Sequence, residues 1–294
     1  MEKVKVLILT PDLNDEMYNG RWREILCELT DCLSKYNILI SNTSWTDDLD
    51  KYLGKVDIVL PLLAWGYQRE YERWIVACKK WKDLKIPISP SADILQWNAN
   101  KTYLNKLSDS GVQTVPTLYF DTICESKLRY ATEYFGSKRV VLKPTISATA
   151  YKTSIWEKGM PILDAPTDSC MVQPFLSNIV SEGEISLIFI NRKFSHALKK
   201  KPKSGDFRVQ PEFGGEITAY APTPNSMDVA KMIVDSIDGS LLYARIDLVQ
   251  DQDKQWKLLE AELIEPDLYL AFDKEDGKLL AQEIKDIVAI NKLI

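Results

Sequence analysis

A single histidine in 294 residues, and five cysteines scattered at positions 27, 32, 78, 124 and 170, exclude a good deal of chemistry. No Cys-x-x-Cys pair occurs and the cysteine number is odd, so neither a zinc site nor a disulfide framework is expected. A reducing, cytoplasmic setting follows as the expectation. No apolar run approaches the roughly 20 residues that a bilayer span requires. The first predicted strand, over 4–9, leads straight into Pro11 and Asp12 and does not read as a signal peptide. The chain lacks Gly-x-x-x-x-Gly-Lys-Ser/Thr, which removes the P-loop. It also lacks Gly-x-Gly-x-x-Gly after the first strand, which argues against a dinucleotide cofactor. A net charge of −5 gives no electrostatic reason to expect nucleic acid, so neither nucleic acid nor a membrane is an expected partner.

What is present is a long alternation of strands and helices. An apolar strand over 4–9 precedes a helix over 16–35 that carries Ile25, Leu26, Leu29 and Leu33 at helical spacing. A strand over 38–40, a short helix over 48–53, a buried strand over 57–60, a helix over 68–81 and a Pro-bounded strand over 86–89 follow. That rhythm predicts a parallel sheet with helices on its faces, ending near 92–98. A helix over 101–110, a strand over 117–120, a helix over 125–135 and a strand over 139–143 lead into a loop of small residues over 144–150. A strand over 171–173 stops at Pro174 like a hinge. Beyond it the chain is strand-rich. Strands over 184–190 and 193–198 form a hairpin across Asn191-Arg192. A polar loop and a helix over 226–235 then lead to strands over 241–249 and 256–264, and a helix over 278–290 closes the chain.

The last two strands carry the most chemistry. Period two puts Leu242, Ala244, Ile246 and Leu248 on one face and Tyr243, Arg245 and Asp247 on the other. In the next strand Glu260 and Glu262 point away from Leu259, Ala261 and Leu263. A turn near 251–254 would bring Asp247 beside both glutamates. Carboxylates at about 4 Å repel by about 4 kcal/mol at an effective dielectric near 20, so a cation must offset them. Hard oxygen donors without histidine or thiolate favour Mg²⁺, which commonly bridges one or two carboxylates to nucleotide phosphates. The same alternation also describes a solvated sheet face with Arg245 and nearby lysines as partners.

A second signal is Lys143, which ends an apolar strand and precedes Thr145, Ser147, Ala148, Thr149 and Ala150. A strand-terminal ammonium stands at a fixed place, and small residues let backbone N–H groups approach phosphate oxygens. A snorkelling edge lysine is the structural alternative. The hinge at Gln173, Pro174, Phe175 and Leu176 offers backbone groups to an adenine, and Glu182-Gly183-Glu184 follows it with carboxylates. The run Lys199-Lys200-Lys201-Pro202-Lys203 is a solvated turn when read by itself. Next to a phosphate site, Arg208 and one of those lysines become anion clamps, while Gly214-Gly215 permits close backbone approach.

Taken in order, these elements resemble the ATP-grasp superfamily over nearly the whole chain. Gly205-Asp206-Phe207-Arg208 followed by Phe213-Gly214-Gly215 is similar to ligases that add glutamate to ribosomal protein or make glutathione. Residues 60–67, 96–104 and 194–197, with Tyr243-Ala244-Arg245-Ile246-Asp247 and Glu262-Leu263-Ile264-Glu265-Pro266, look like the cyclo-ligase of cycloserine biosynthesis and its relatives. That enzyme closes O-ureido-serine into a ring at the expense of ATP. The resemblance implies an α/β and α+β architecture: a parallel-sheet pre-ATP-grasp domain over 1–97, a small lid subdomain over 98–175, and a metal-bearing subdomain over 176–294, the last two sandwiching ATP. It implies phosphate contacts from Lys101 and Lys143, an adenine frame of Gln173, Pro174, Phe175 and Leu176, and ribose contacts from Glu182 or Glu184. Two Mg²⁺ ions, or Mn²⁺ in their place, would lie on Asp247, Glu260 and Glu262. Arg208 would stabilise the transferred phosphoryl group with Lys143, Arg245 would hold a substrate carboxylate, and His196, Lys200 and Trp65 are candidate substrate contacts. The implied reaction joins small-molecule carboxylate and amine substrates through an acyl phosphate, in antibiotic biosynthesis or a related route, and the family's dimers make a homodimer the matching assembly. Two other readings stay open: a ligase that modifies a peptide or protein carboxylate, and a nucleotide-binding interaction protein without turnover. This sequence departs from the family where Glu262 replaces an asparagine, and where no glycine stands between Lys143 and Tyr151.

Overall fold

Val6, Leu7, Ile8 and Leu9 are fully buried because β1 (Val4–Thr10) is the middle strand of a parallel sheet, between β2 (Ile38–Ser44) and β3 (Ile58–Leu60). A strand covered on both faces must be apolar on both. Val6 and Ile8 pack with α1 (Arg21–Ser34), while Leu7 and Leu9 meet Trp45 and the tryptophans of α2 (Tyr71–Asp83). The computed structural model describes residues 3–13, 15, 17, 20–148, 151–163, 165–209 and 214–293. Thr149 and Ala150 of the small-residue loop, Phe213 before the glycine pair, and residues 16, 18 and 19 of the expected first helix lie outside the described residues. Among the described residues no helix is long and apolar enough to cross a membrane.

Two expectations for this region are corrected. The strand over 86–89 reduces to one parallel bridge between Val59 and Ile88, since Pro87 and Pro90 remove two ladder donors. The helix over 48–53 is a single 3-10 turn, Leu49–Tyr52, capped by the Asp48 carboxylate, which accepts from the Asp50 N–H at 3.3 Å.

After α3 (Ala92–Asn98) and α4 (Tyr103–Asp109), an antiparallel sheet forms in the order β4-β7-β5-β6. Its strands are β4 (Leu118–Phe120), β5 (Arg139–Pro144), β6 (Ser154–Glu157) and β7 (Cys170–Pro174). Leu128 and Ala131 of α5 (Glu125–Phe135) pack on Val140, Leu142 and Val172, giving this sheet a small core of its own. β6 was not anticipated: its four residues carry too little pattern to read.

The third sheet has the order β10-β9-β8-β11-β12. A short α6 (Asn178–Ser181) precedes β8 (Glu184–Ile190), whose hairpin to β9 (Lys193–Lys201) turns on Asn191 and Arg192, both at positive φ (45° and 63°). The lysine run is therefore the end of a strand, and Lys200 is buried at 4% exposure. β10 (Glu216–Ala219), also unanticipated, forms the edge. β11 (Tyr243–Gln250) lies between β8 and β12 (Trp256–Glu262). Ala244, Ile246 and Leu248 face α7 (Pro224–Asp235), α3 and α4. Above the opposite face, α8 (Lys278–Asn291) joins Ile188, Ile190 and Tyr243 to Val6 and Ile8 of the first sheet in one core.

Candidate active site

A cavity of about 590 Å³ lies between the four-stranded and five-stranded sheets, and residues following β3 line one part of it. Its upper wall follows from strand alternation. Val140 and Leu142 point to α5, so Val141 and Lys143 point to the cavity. Lys143 Nζ donates to Gln173 Oε1 at 3.0 Å, and Gln173 Nε2 donates to Thr117 Oγ1 at 3.0 Å. Burial lowers the Lys143 pKa; Glu260 opposes that and Lys101 adds to it. Lys101 ties the two walls together, since its Nζ reaches the Ser147 carbonyl at 2.5 Å and Glu260 Oε1 at 3.1 Å. At the hinge, the Arg139 guanidinium sits 4.1 Å over the Phe175 ring, and the Phe175 N–H is already bonded to the Arg139 carbonyl.

The floor is the polar face of β11 and β12. Asp247 is in register with Glu260 and Arg245 with Glu262, with a bulge after Asp247. Arg245 bridges Asp247 at 3.0 Å and Glu262 by a direct ion pair. Lys200 stands 3.0 Å from Glu184 and 3.6 Å from Asp247, and Ser186 Oγ donates to Asp247 at 2.5 Å. Two buried cations thus neutralise three carboxylates only in part. Burial, with Glu260 and Asp247 nearby, pushes Glu262 up to about 7 in spite of Arg245. Asp247 is held down at about 2 against its burial by Arg245 and Lys200. Among the described residues no three histidine, cysteine or carboxylate side chains form a ready-made metal cage.

β12 is held by side chains from the helices beside it. Tyr103 Oη accepts from the Ala261 N–H at 2.8 Å and donates to the Ala261 carbonyl at 3.1 Å. Asn98 donates to the same carbonyl at 2.9 Å and accepts from the Leu263 N–H at 3.0 Å. The segment bearing Glu260 and Glu262 is thereby fixed from outside the sheet. Nothing in the sequence marks Asn98 or Tyr103 for this role.

No protein-family model matches the chain. Cycloserine biosynthesis protein DcsG of Streptomyces lavendulae is 24% identical over 244 residues, covering 76% of this chain and 80% of the relative. The crystal structure of D-cycloserine synthetase DcsG superposes with a TM-score of 0.81 at 19% identity, over 97% of this chain and 99% of that one. D-alanine–D-alanine ligase from Bacillus anthracis complexed with ATP gives 0.68 at 13% identity, over 100% and 99%. The chain has the ATP-grasp ligase fold.

Within that ATP-grasp frame, most of the side chains singled out in the sequence line the one cavity. Lys101, Lys143, Gln173, Pro174, Phe175 and Leu176 do so, as do Glu184, Arg208, Asp247, Glu260 and Glu262. Arg245, Lys200 and Trp65 line it as well, although Arg245 is bound to two carboxylates of the floor. Arg208 is held at 2.7 Å by Asp206 of its own loop, and that pair keeps the Asp206 carboxyl well below the usual range. Two residues are not brought to the lining. Glu182 is half exposed and lies 3.8 Å from Lys199. His196 is buried between Ser195 Oγ at 2.9 Å and the Leu268 carbonyl at 2.8 Å, where it fastens β9 to the loop after β12. Phe207, 6.2 Å from Phe175, and Tyr67 also line the cavity.

Proposed function

We propose that the protein is an ATP-dependent ligase that activates a carboxylate as an acyl phosphate and passes it to a nitrogen nucleophile. The observation that carries this reading is the facing of two lysines, Lys101 and Lys143, with Asp247, Glu260 and Glu262 across one cavity of about 590 Å³. That volume suits a small-molecule site. Lys101 and Lys143 would bind nucleotide phosphates, with Gln173, Pro174, Phe175 and Leu176 around the adenine and Glu184 on the ribose side. Arg208 would exchange Asp206 for the γ-phosphoryl group.

The floor carboxylates fit a hard divalent cation. Every donor is oxygen, and the raised Glu262 carboxyl would ionise readily once positive charge stood beside it. Mg²⁺ held by Glu260, Glu262 and Asp247 would neutralise phosphate charge during transfer.

In the first step a substrate carboxylate oxygen attacks the γ-phosphorus and the bond to the ADP oxygen breaks. In the second a nitrogen lone pair attacks the acyl carbon, phosphate leaves with the C–O bond, and the nitrogen loses its proton. Positioning and charge neutralisation supply most of the rate in such transfers. The segment after Lys143 would cover the acyl phosphate and keep water away. The relative named for cycloserine biosynthesis supports a small amino-acid-like substrate, with ring closure as the intramolecular form of the same second step.

Thermal denaturation with MgADP tests the nucleotide site. The wild type should be stabilised, by about 2.7 kcal/mol at a hundredfold excess over Kd. Lys143→Ala and Glu260→Gln should each weaken that binding at least tenfold. Undiminished stabilisation in both variants would overturn the assignment.

A further inference from the structure

Lys143 stands half-buried near the end of β5, and Gln173 is the one hydrogen-bond partner of its ammonium among the described residues. Burial works against that charge, Glu260 and Glu184 support it from the floor, and Lys101 opposes it. The contact that holds the ammonium in place is therefore a single neutral amide. Its direction decides whether it attracts or repels. Turned one way, Gln173 presents Oε1 to Lys143; turned the other, it presents an amide NH2, which cannot accept from an ammonium.

The direction is fixed from both ends. An ammonium only donates, and at the far end the Thr117 hydroxyl has spent its one hydrogen on the Val115 carbonyl, 2.8 Å away. Thr117 Oγ1 is left as an acceptor and receives Gln173 Nε2 at 3.0 Å, which leaves Oε1 for Lys143 at 3.0 Å. A reversed amide would set donor against donor at Lys143 and acceptor against acceptor at Thr117. Gln173 is 2% exposed, so its amide is shielded from water that would relax this choice.

The run of bonds continues beyond Val115. The Val115 N–H donates to the Leu258 carbonyl of β12 at 3.0 Å, and the Leu258 N–H returns to the Gln113 carbonyl at 2.8 Å. Leu258 stands on the strand that carries Glu260 and Glu262. From the cavity to β12 the order is thus Lys143, Gln173, Thr117, Val115 and Leu258, with every link donating in the same sense.

Resting on the reading of Lys143 as a phosphate contact, we propose that Thr117 and Gln173 are positioning residues that orient the Lys143 ammonium and refer its place to the strand bearing Glu260 and Glu262. Gln173, expected from the sequence to frame the adenine, spends its side chain on Lys143. Both residues act through the lysine and take no part in the phosphoryl transfer.

The test compares the full chain with Thr117→Val, which keeps the shape and removes the hydroxyl, and with Thr117→Ser, which keeps the hydroxyl. Acetic anhydride at about pH 8, followed by peptide mass spectrometry, reports the free amine at each lysine with no nucleotide present. Lys231, exposed on α7, is the internal standard, and the buried Lys200 reports any general loosening. Thr117→Val leaves the Gln173 amide free to turn, so Lys143 should acetylate at least threefold faster relative to Lys231, with Lys200 unchanged. Thr117→Ser should match the wild type. MgADP titrations in parallel should give a Kd at least fivefold higher for Thr117→Val and within twofold of the wild type for Thr117→Ser. The relay is overturned by unchanged labelling of Lys143 in Thr117→Val, by a rise that Lys200 shares, by failure of Thr117→Ser to restore the wild-type rate, or by one MgADP Kd common to all three forms. The two arms also separate the claims. If Lys143 labelling responds as described while no form binds MgADP, the relay stands and the phosphate reading falls. If MgADP binds and Lys143 labels alike in all three, the phosphate reading stands and the relay falls.

Discussion

Tyr103 does not itself line the cavity, yet it bonds to both backbone groups of Ala261, the lining residue between Glu260 and Glu262. Removing its hydroxyl takes the side-chain acceptor from the buried Ala261 N–H, while the carbonyl keeps Asn98, at a cost of about 1–3 kcal/mol. Tyr103→Phe should therefore unfold at lower urea, and its Kd for MgADP should rise as the two glutamates lose their fixed spacing. Equal stability of variant and wild type would remove this account of β12. The juxtaposed carboxylates were legible because alternation needs only the sequence: Asp247 and Glu260 are in register as the two faces implied. Lys200 was not legible as a buried group. Within Lys199-Lys200-Lys201 nothing local separates it from its neighbours until β9 is known to run to residue 201. Arg245 was read both as a partner of the sheet carboxylates and as a holder of a substrate carboxylate, and in the fold it pairs with two carboxylates of its own sheet.

At the scale of elements, α8 is tied to the hairpin of β8 and β9 by a buried carboxylate. Glu283 receives Lys193 at 2.5 Å and Asn191 at 2.6 Å. Burial alone would raise its pKa, but Lys193 and Asn191 overcome that and hold it below the ordinary 4.5. A carboxyl depressed in the folded state contributes stability above 4.5, and that contribution is lost as pH falls through the folded pKa. Glu283→Gln should flatten this part of the acid limb when urea midpoints are compared from about pH 7 to about pH 3. A profile parallel to that of the wild type would show that the carboxylate has no such linkage. Most long elements were readable, because apolar periodicity over ten or more residues outweighs local accidents. The four-residue strands β6 and β10 were not, since so few residues hold no period and tertiary pairing alone defines them. The Pro-bounded segment over 86–89 was over-read for the opposite reason: its apolar residues lie where two prolines prevent a ladder.

On the scale of the whole molecule, the three sheets divide the work. The first and the five-stranded sheets share a core through α8, while the four-stranded sheet keeps a small separate one. Lys101 and the segment after Lys143 connect that small sheet to the floor across the cavity. The order of motifs along the chain made this frame legible, with fold class and cleft both implied by residues from 101 to 262. The ends of the cavity toward Trp65 and Glu265 depend on how the first sheet docks, and no local pattern encodes that docking. The central claim is turnover in this cleft. It is tested most directly by phosphate release from MgATP with pools of amino acids, ureido acids and short peptides, using wild type and Lys143→Ala side by side. The account predicts that one pool stimulates release at least tenfold and that Lys143→Ala abolishes the stimulation. Release that no pool stimulates, or stimulation that survives in Lys143→Ala, would contradict it.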